Sequence, residues 1–150
     1  MQEPQFHQFD NGVRILDEQI LPTQRERYKK INLHEPEEEE LLDAWLENQG
    51  ESPVMVDVGA AVGYYSILVK KKKPKARIHA FEPLPFHREC MKRNVVLNGL
   101  SYEDLNVQDE ALADKPGSVE FRDANYSSKL VGAEFRPLGL LARLKPGLRR

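Results

Sequence analysis

Val54-Met55-Val56-Asp57-Val58-Gly59-Ala60-Ala61-Val62-Gly63, followed after a helix-sized gap by Phe81-Glu82-Pro83, decides how this chain is read. An apolar run ending in a glycine turn, then a helix, then a strand that ends in a carboxylate is the local recipe for one crevice of an α/β fold. Glycine suits such a turn because it permits positive φ and leaves room beside a ligand. Gly59 and Glu82 stand roughly 20 residues apart, the interval at which a doubly wound unit lays its second strand beside its first. Both strand ends then face one side, where a carboxylate meets the hydroxyls of a ribose.

The turn departs from the phosphate-binding patterns. A dinucleotide fold uses G-x-G-x-x-G and a nucleoside triphosphate fold uses G-x-x-x-x-G-K-[ST], because phosphates must reach bare backbone at a helix N-terminus. Here Ala61 replaces the second glycine, no lysine follows Gly63, and Asp57 would repel a phosphate. A nucleoside ligand bearing cationic groups fits better. The ordered segments Val56-Asp57-Val58-Gly59-Ala60-Ala61-Val62-Gly63-Tyr64-Tyr65-Ser66, Ala80-Phe81-Glu82-Pro83 and Asn94-Val95-Val96-Leu97-Asn98-Gly99-Leu100 resemble the FkbM family of S-adenosylmethionine-dependent methyltransferases. The resemblance runs roughly from Pro53 to Asp123. It implies a Rossmann-like cofactor domain, S-adenosyl-L-methionine as cofactor, and O-methylation of a sugar or other small-molecule hydroxyl.

At 150 residues the chain reads as one domain, by the usual prior of about 100 to 200 residues per domain. A net charge of −2 supplies no bulk attraction to nucleic acid or anionic lipid, which favours a small-molecule partner. The single cysteine, Cys90, excludes an internal disulfide, and no apolar N-terminal stretch resembles a leader or membrane span, so a cytoplasmic setting is expected. His7, His34, His79 and His87 show no zinc spacing, and there is no G-x-S-x-G, so no metal site or hydrolase is expected. Lys70 to Lys73 suit a helix C-terminus, where cations oppose the dipole.

Three regions follow. Residues 1–52 form a ribbon and helix cover: Asn11-Gly12 predicts a two-residue hairpin turn, and Pro36 opens a helix with Glu37 to Glu40 in a solvated first turn and Leu41, Leu42, Trp45 and Leu46 on one face. Residues 53–123 form the cofactor-binding core, a partial, mostly parallel, doubly wound sheet: strand 54–58, helix 62–73, strand 77–82, helix 85–98 stopped by Gly99, strand 105–112, then a hairpin through Asp114 to Gly117 into residues 119–121. Residues 124–150 form an irregular or helical basic tail. A βαβ unit needs roughly 30 residues, so this tail holds at most one more strand and helix. The resemblance implies later strands with a Lys-Ile-Asp-x-Glu-Gly segment, which nothing here matches. The chain therefore reads as C-terminally truncated: a fragment, or a short member whose missing half comes from another chain or is absent.

The candidate cofactor residues are Asp57, Gly59, Ala60, Gly63, Tyr64, Glu82, Pro83, Asp109, Glu110 and Ala111. Asp57 either orders the amino-acid end of the cofactor, as the resemblance implies, or caps the following helix. Of Tyr64 and Tyr65, one meets the cofactor and one packs. Glu82 takes the ribose diol. Either Asp109 or Glu110 accepts from the adenine amino group, with Ala111 leaving room for the ring, since successive strand residues face opposite ways. Asn125, Tyr126 and Ser127 are candidates for the acceptor side, and no catalytic base is assigned. The rival expectation is a non-catalytic cofactor-binding or assembly module, because strand 54–58 would be an apolar sheet edge open to a second copy. A nicotinamide-dependent reductase ranks below both, for want of the glycine fingerprint.

Overall fold

The computed structural model describes residues 4–113, 117–119, 121–122, 129–130 and 141–144. The chain opens with the hairpin β1 (Phe6–Gln8) and β2 (Arg14–Leu16), antiparallel with His7 opposite Ile15. Its loop differs from the expected two-residue turn. Phe9 N–H donates to Val13 O, Gly12 N–H to Phe9 O, and Gly12 alone takes positive φ (84°), so three residues close the turn. The short helix α1 (Pro22–Tyr28), which periodicity did not signal, and α2 (Pro36–Glu47) complete the cover. Of the four apolar residues expected on one face of α2, Leu46 is buried and Leu42 packs against the core, whereas Leu41 is exposed and Trp45 borders solvent.

Three parallel strands follow: β3 (Val54–Val58), β4 (Arg77–Phe81) and β5 (Val107–Gln108), in the order β3-β4-β5. Helix α3 (Tyr64–Lys72) links the first pair and α4 (Pro85–Leu97) the second. This mixed α/β arrangement is compatible with part of a Rossmann-like doubly wound fold. Helix α4 ends as Gly99 predicts: Gly99 takes φ 72°, Leu100 N–H reaches back to Val95 O and Gly99 N–H to Val96 O. The basic run closes α3, with Lys70 Nζ donating to the carbonyls of Pro74 and Ala76.

The third strand is shorter than the expected 105–112. A 3-10 turn occupies Tyr102–Leu105, Asn106 is left-handed (φ 40°), and β6 (Glu110–Leu112) lies in another sheet. The ladder stops for a local reason. Glu82 N–H donates to Gln108 O, Pro83 has no N–H, and Leu84 N–H is taken by the Glu82 carboxylate. Beyond, β7 (Ser118–Val119), β8 (Phe121–Arg122), β9 (Lys129–Leu130) and β10 (Leu141–Leu144) form short ladders, with β6 antiparallel to β10 and β7 parallel to it. The expected hairpin pairing is replaced by this order, β6-β10-β7, and the turn residues 114–116 lie outside the described residues.

One face of the parallel sheet carries the core. Ile78 and Ala80 of β4 pack with Ile67, Leu68 and Val69 of α3, Met91 and Val95 of α4, and Phe9, Val13 and Ile15 of the hairpin. The hairpin is pinned to α4 by two asparagines one turn apart: Asn94 Oδ1 accepts from Leu16 N–H, and Asn98 exchanges two bonds with the Arg14 backbone. On the other face Val54, Val56 and Val58 are 45%, 57% and 57% exposed, and among the described residues β3 pairs on one side only.

Gly63 sits where this core meets the turn. It has φ 86°, and a Cβ there would lie 2.7 Å from Met91 Cγ. Gly63→Ala is expected to cost about 2–4 kcal/mol, from left-handed strain plus overpacking, measured by urea unfolding.

Candidate functional site

The carboxyl ends of β3 and β4 meet around the turn 59–63. Gly59 takes φ 73° and Ala61 φ 47°, both left-handed, so the chain reverses within a few residues before α3 starts. Phe81 O accepts from both Gly59 N–H (2.8 Å) and Ala60 N–H (3.1 Å), and Gly63 N–H donates to Ala60 O. The two glycines serve different neighbours. Gly63 is filled against Met91, whereas a Cβ on Gly59 would meet nothing within 4 Å.

Glu82 organises this end of the sheet. Its side chain is 3% exposed; Oε2 accepts from Ala61 N–H at 2.8 Å and Oε1 from Leu84 N–H at 2.9 Å, with His87 Nδ1 at 3.4 Å from Oε1. Burial alone would raise the carboxyl, but the bonds from His87 and the two amides outweigh it and hold the group below the ordinary glutamate range. An ionised carboxylate offers about four lone-pair positions, so the two backbone amides and His87 take most, but not all, of its acceptor capacity.

Asp57 is bonded to the first turn of the following helix. It is 9% exposed and its Oδ2 accepts from the Ser66 hydroxyl at 2.5 Å, tying the end of β3 to the first turn of α3. Burial pushes its carboxyl up, Ser66 offsets part of that rise, and the charge of Glu82 adds to it. Tyr64 is the more deeply buried of the two tyrosines, and Tyr65 packs at the edge of the same core. Its ring lies 5.0 Å from Phe9 and 4.6 Å from His34, and its hydroxyl donates to Glu39. Tyr65 is half-buried, with its hydroxyl on Glu35 Oε2 at 2.7 Å. Ala60 and Pro83 are buried beside the turn. The third-strand trio is divided: Asp109 is exposed just after β5, while Glu110 and Ala111 belong to β6. Asn125, Tyr126 and Ser127 lie outside the described residues.

Several site neighbours had no signal in the sequence. Glu39, expected in a solvated first turn, is 5% exposed and accepts from Asn11, Tyr64 and the His34 amide. Asn94 Nδ2 donates to Val62 O inside the turn and to Gln19. His34 accepts or donates at Nδ1 to the Tyr28 hydroxyl, and burial lowers its basicity. Phe86 is exposed, whereas Cys90, four residues further along α4, is buried. A cleft of about 340 Å³ lies in the cover rather than at the turn, lined by Arg27, Ile31, Leu33, Pro36 and Glu35 among others. Its contact with the turn region runs through the Glu35–Tyr65 bond. Among the described residues no His, Cys, Asp and Glu group is placed to hold a metal, and no helix is long and apolar enough to cross a membrane.

The chain is similar to the methyltransferase sdnD of Sordaria araneosa, 42% identical over 53 residues. That stretch covers 35% of this chain and 20% of the relative, so the likeness is to a minor part of a longer protein. No family model and no solved structure matches.

Glu82 and Asp57 have opposite acid responses. Stabilisation from Glu82 is present above roughly pH 4.3 and is lost as pH falls through its lower folded value. Stabilisation from Asp57 is complete below roughly pH 3.9 and is lost as pH rises through its raised folded value. Asp57→Asn is expected to raise neutral-pH stability and remove the acid-side gain, since the Ser66 hydroxyl can turn to accept. Glu82→Gln should lower neutral-pH stability by about 1–3 kcal/mol, because one amide donor then faces another. Urea titrations across the acid range check both.

Proposed function

We propose that this chain is the cofactor-binding part of an S-adenosylmethionine-dependent methyltransferase of the FkbM type, acting on a hydroxyl of a sugar or other small molecule. The observation that carries the reading is the buried Glu82 carboxylate at the end of β4, bonded across to a glycine turn that lacks the phosphate-binding glycine pattern and whose Gly59 side is open. The partial likeness to a methyltransferase supports the same reaction class.

In this reading the remaining lone pairs of Glu82 accept from the ribose diol, and the missing Cβ of Gly59 lets the ligand approach the backbone. Ala60 and Pro83 wall the pocket beside them. Asp57 and Tyr64 act indirectly, by fixing the first turn of α3 through Ser66 and Glu39. Asp109, exposed at the end of β5, is the third-strand acid better placed to accept from the adenine amino group. S-adenosylmethionine held there would supply a sulfonium methyl group for transfer to the acceptor oxygen, with S-adenosylhomocysteine as the leaving group and the hydroxyl proton passing to solvent. The chain's share of that step is alignment and exclusion of water.

S-adenosylhomocysteine is expected to raise the melting temperature, by roughly 2.7 kcal/mol of added stability at 100 times Kd, whereas NAD and NADP leave it unchanged. Glu82→Ala and Gly59→Ala should melt cooperatively and lose the shift. An unshifted wild-type protein, or equal shifts in wild type and Glu82→Ala, would sink the reading.

A second reading rests on the uncovered valines of β3. Here the open strand edge is filled by a second copy, so that the chain is an assembly module. The run Val54-Met55-Val56-Asp57-Val58 suits it, because antiparallel self-pairing about Val56 would join the two valine stripes. Light scattering should then give a dimer that Val56→Lys dissociates, and a monomeric wild type would exclude it.

A further inference from the structure

Glu39 is a buried charge to which the proposed chemistry gives no direct task. Its carboxylate accepts from Tyr64 Oη at 2.7 Å, Asn11 Nδ2 at 2.6 Å and His34 N at 2.8 Å. The donors belong to three segments: the first residue of α3, the hairpin loop, and the entry to α2. Tyr64 directly follows Gly63, the last residue of the turn, and its ring is set between Phe9 and His34 from the same segments. On its other side the turn is held by Glu82 through the Ala61 amide. Two carboxylates, distant in sequence, therefore hold the middle of the turn and the residue that directly follows it. A buried ion is tolerated only while its donors stay in place, so the cover cannot lift from the turn without stranding the Glu39 charge.

We propose that Glu39 is a positioning residue for the adenosyl-cofactor site, clamping the N-terminal cover onto the glycine turn so that residues 6–47 form part of the binding unit. This rests on the cofactor reading above. Nothing in the clamp touches the ligand; it holds Tyr64 and, through the adjoining backbone, the left-handed geometry that leaves Gly59 open.

The test compares wild type, Glu39→Gln, Tyr64→Phe and, as a destabilised core control that makes none of the clamp's hydrogen bonds, Val95→Ala. Tyr64→Phe removes one hydroxyl and keeps the ring, so it remains informative if Glu39→Gln does not fold. Calorimetric titration with S-adenosylhomocysteine, well below each melting temperature, should show affinity lower by roughly tenfold or more in the clamp variants, the effect of losing one charge-assisted bond, and unchanged in Val95→Ala. Without ligand, amide hydrogen exchange at residues 61–66 should be faster in the clamp variants than in Val95→Ala. Clamp variants that bind within twofold of wild type, or whose turn amides exchange no faster than the control's, overturn the proposal and leave Glu39 as a core contact. A wild type that does not bind S-adenosylhomocysteine overturns the cofactor reading and this proposal together.

Discussion

The hydrogen bond from the Ala61 amide to Glu82 is the constraint around which the rest is arranged. A carboxylate that is almost fully buried must find donors, and the backbone of a left-handed turn supplies one at the point where β3 gives way to α3. The second oxygen takes the Leu84 amide, which removes the donor that would have extended the β4–β5 ladder. One side chain thereby shapes the turn, ends the sheet and sets the start of α4. The same donors hold its carboxyl below the ordinary glutamate range.

Around that bond the buried acids form a set. Glu82 holds Ala61, Asp57 holds Ser66 and Glu39 holds Tyr64, each fixing a successive position along the turn and the first turn of α3. They differ electrostatically. Glu82 has enough donors to overcome burial, whereas Asp57 does not, so one is lowered and the other raised although they lie close together. Asn94 completes the arrangement by anchoring Val62 O from α4. The glycine turn is thus less a flexible loop than a short segment held from three sides, with Gly59 left open.

Much of this was legible in advance where the relevant physics is local. The strand, turn, helix and carboxylate order followed from apolar runs, glycines and spacing, and Gly99 stopped α4 through its own positive φ. The hairpin was legible from Asn11-Gly12, but its three-residue closure was not, since Asn11 stays out of the left-handed region. Asp57 offered both a ligand role and a capping role, and its bond from the Ser66 hydroxyl, nine residues on, was announced by neither. Glu39 was read as solvated because it stands in an acidic run. Its burial depends on Tyr64, 25 residues away, and no pattern within α2 announces that partner.

By itself the sequence determined the α/β pattern, the glycine turn after β3 and the acid that follows β4, because each depends on residues within about one βαβ unit of one another. Only the tertiary structure decided which carboxylates are buried, which tyrosine is the more deeply buried, where the third strand stops and that one face of β3 carries exposed valines. Those outcomes depend on which distant segments come into contact, and whether a charge is tolerated inside is settled by the donors that the folded chain brings to it.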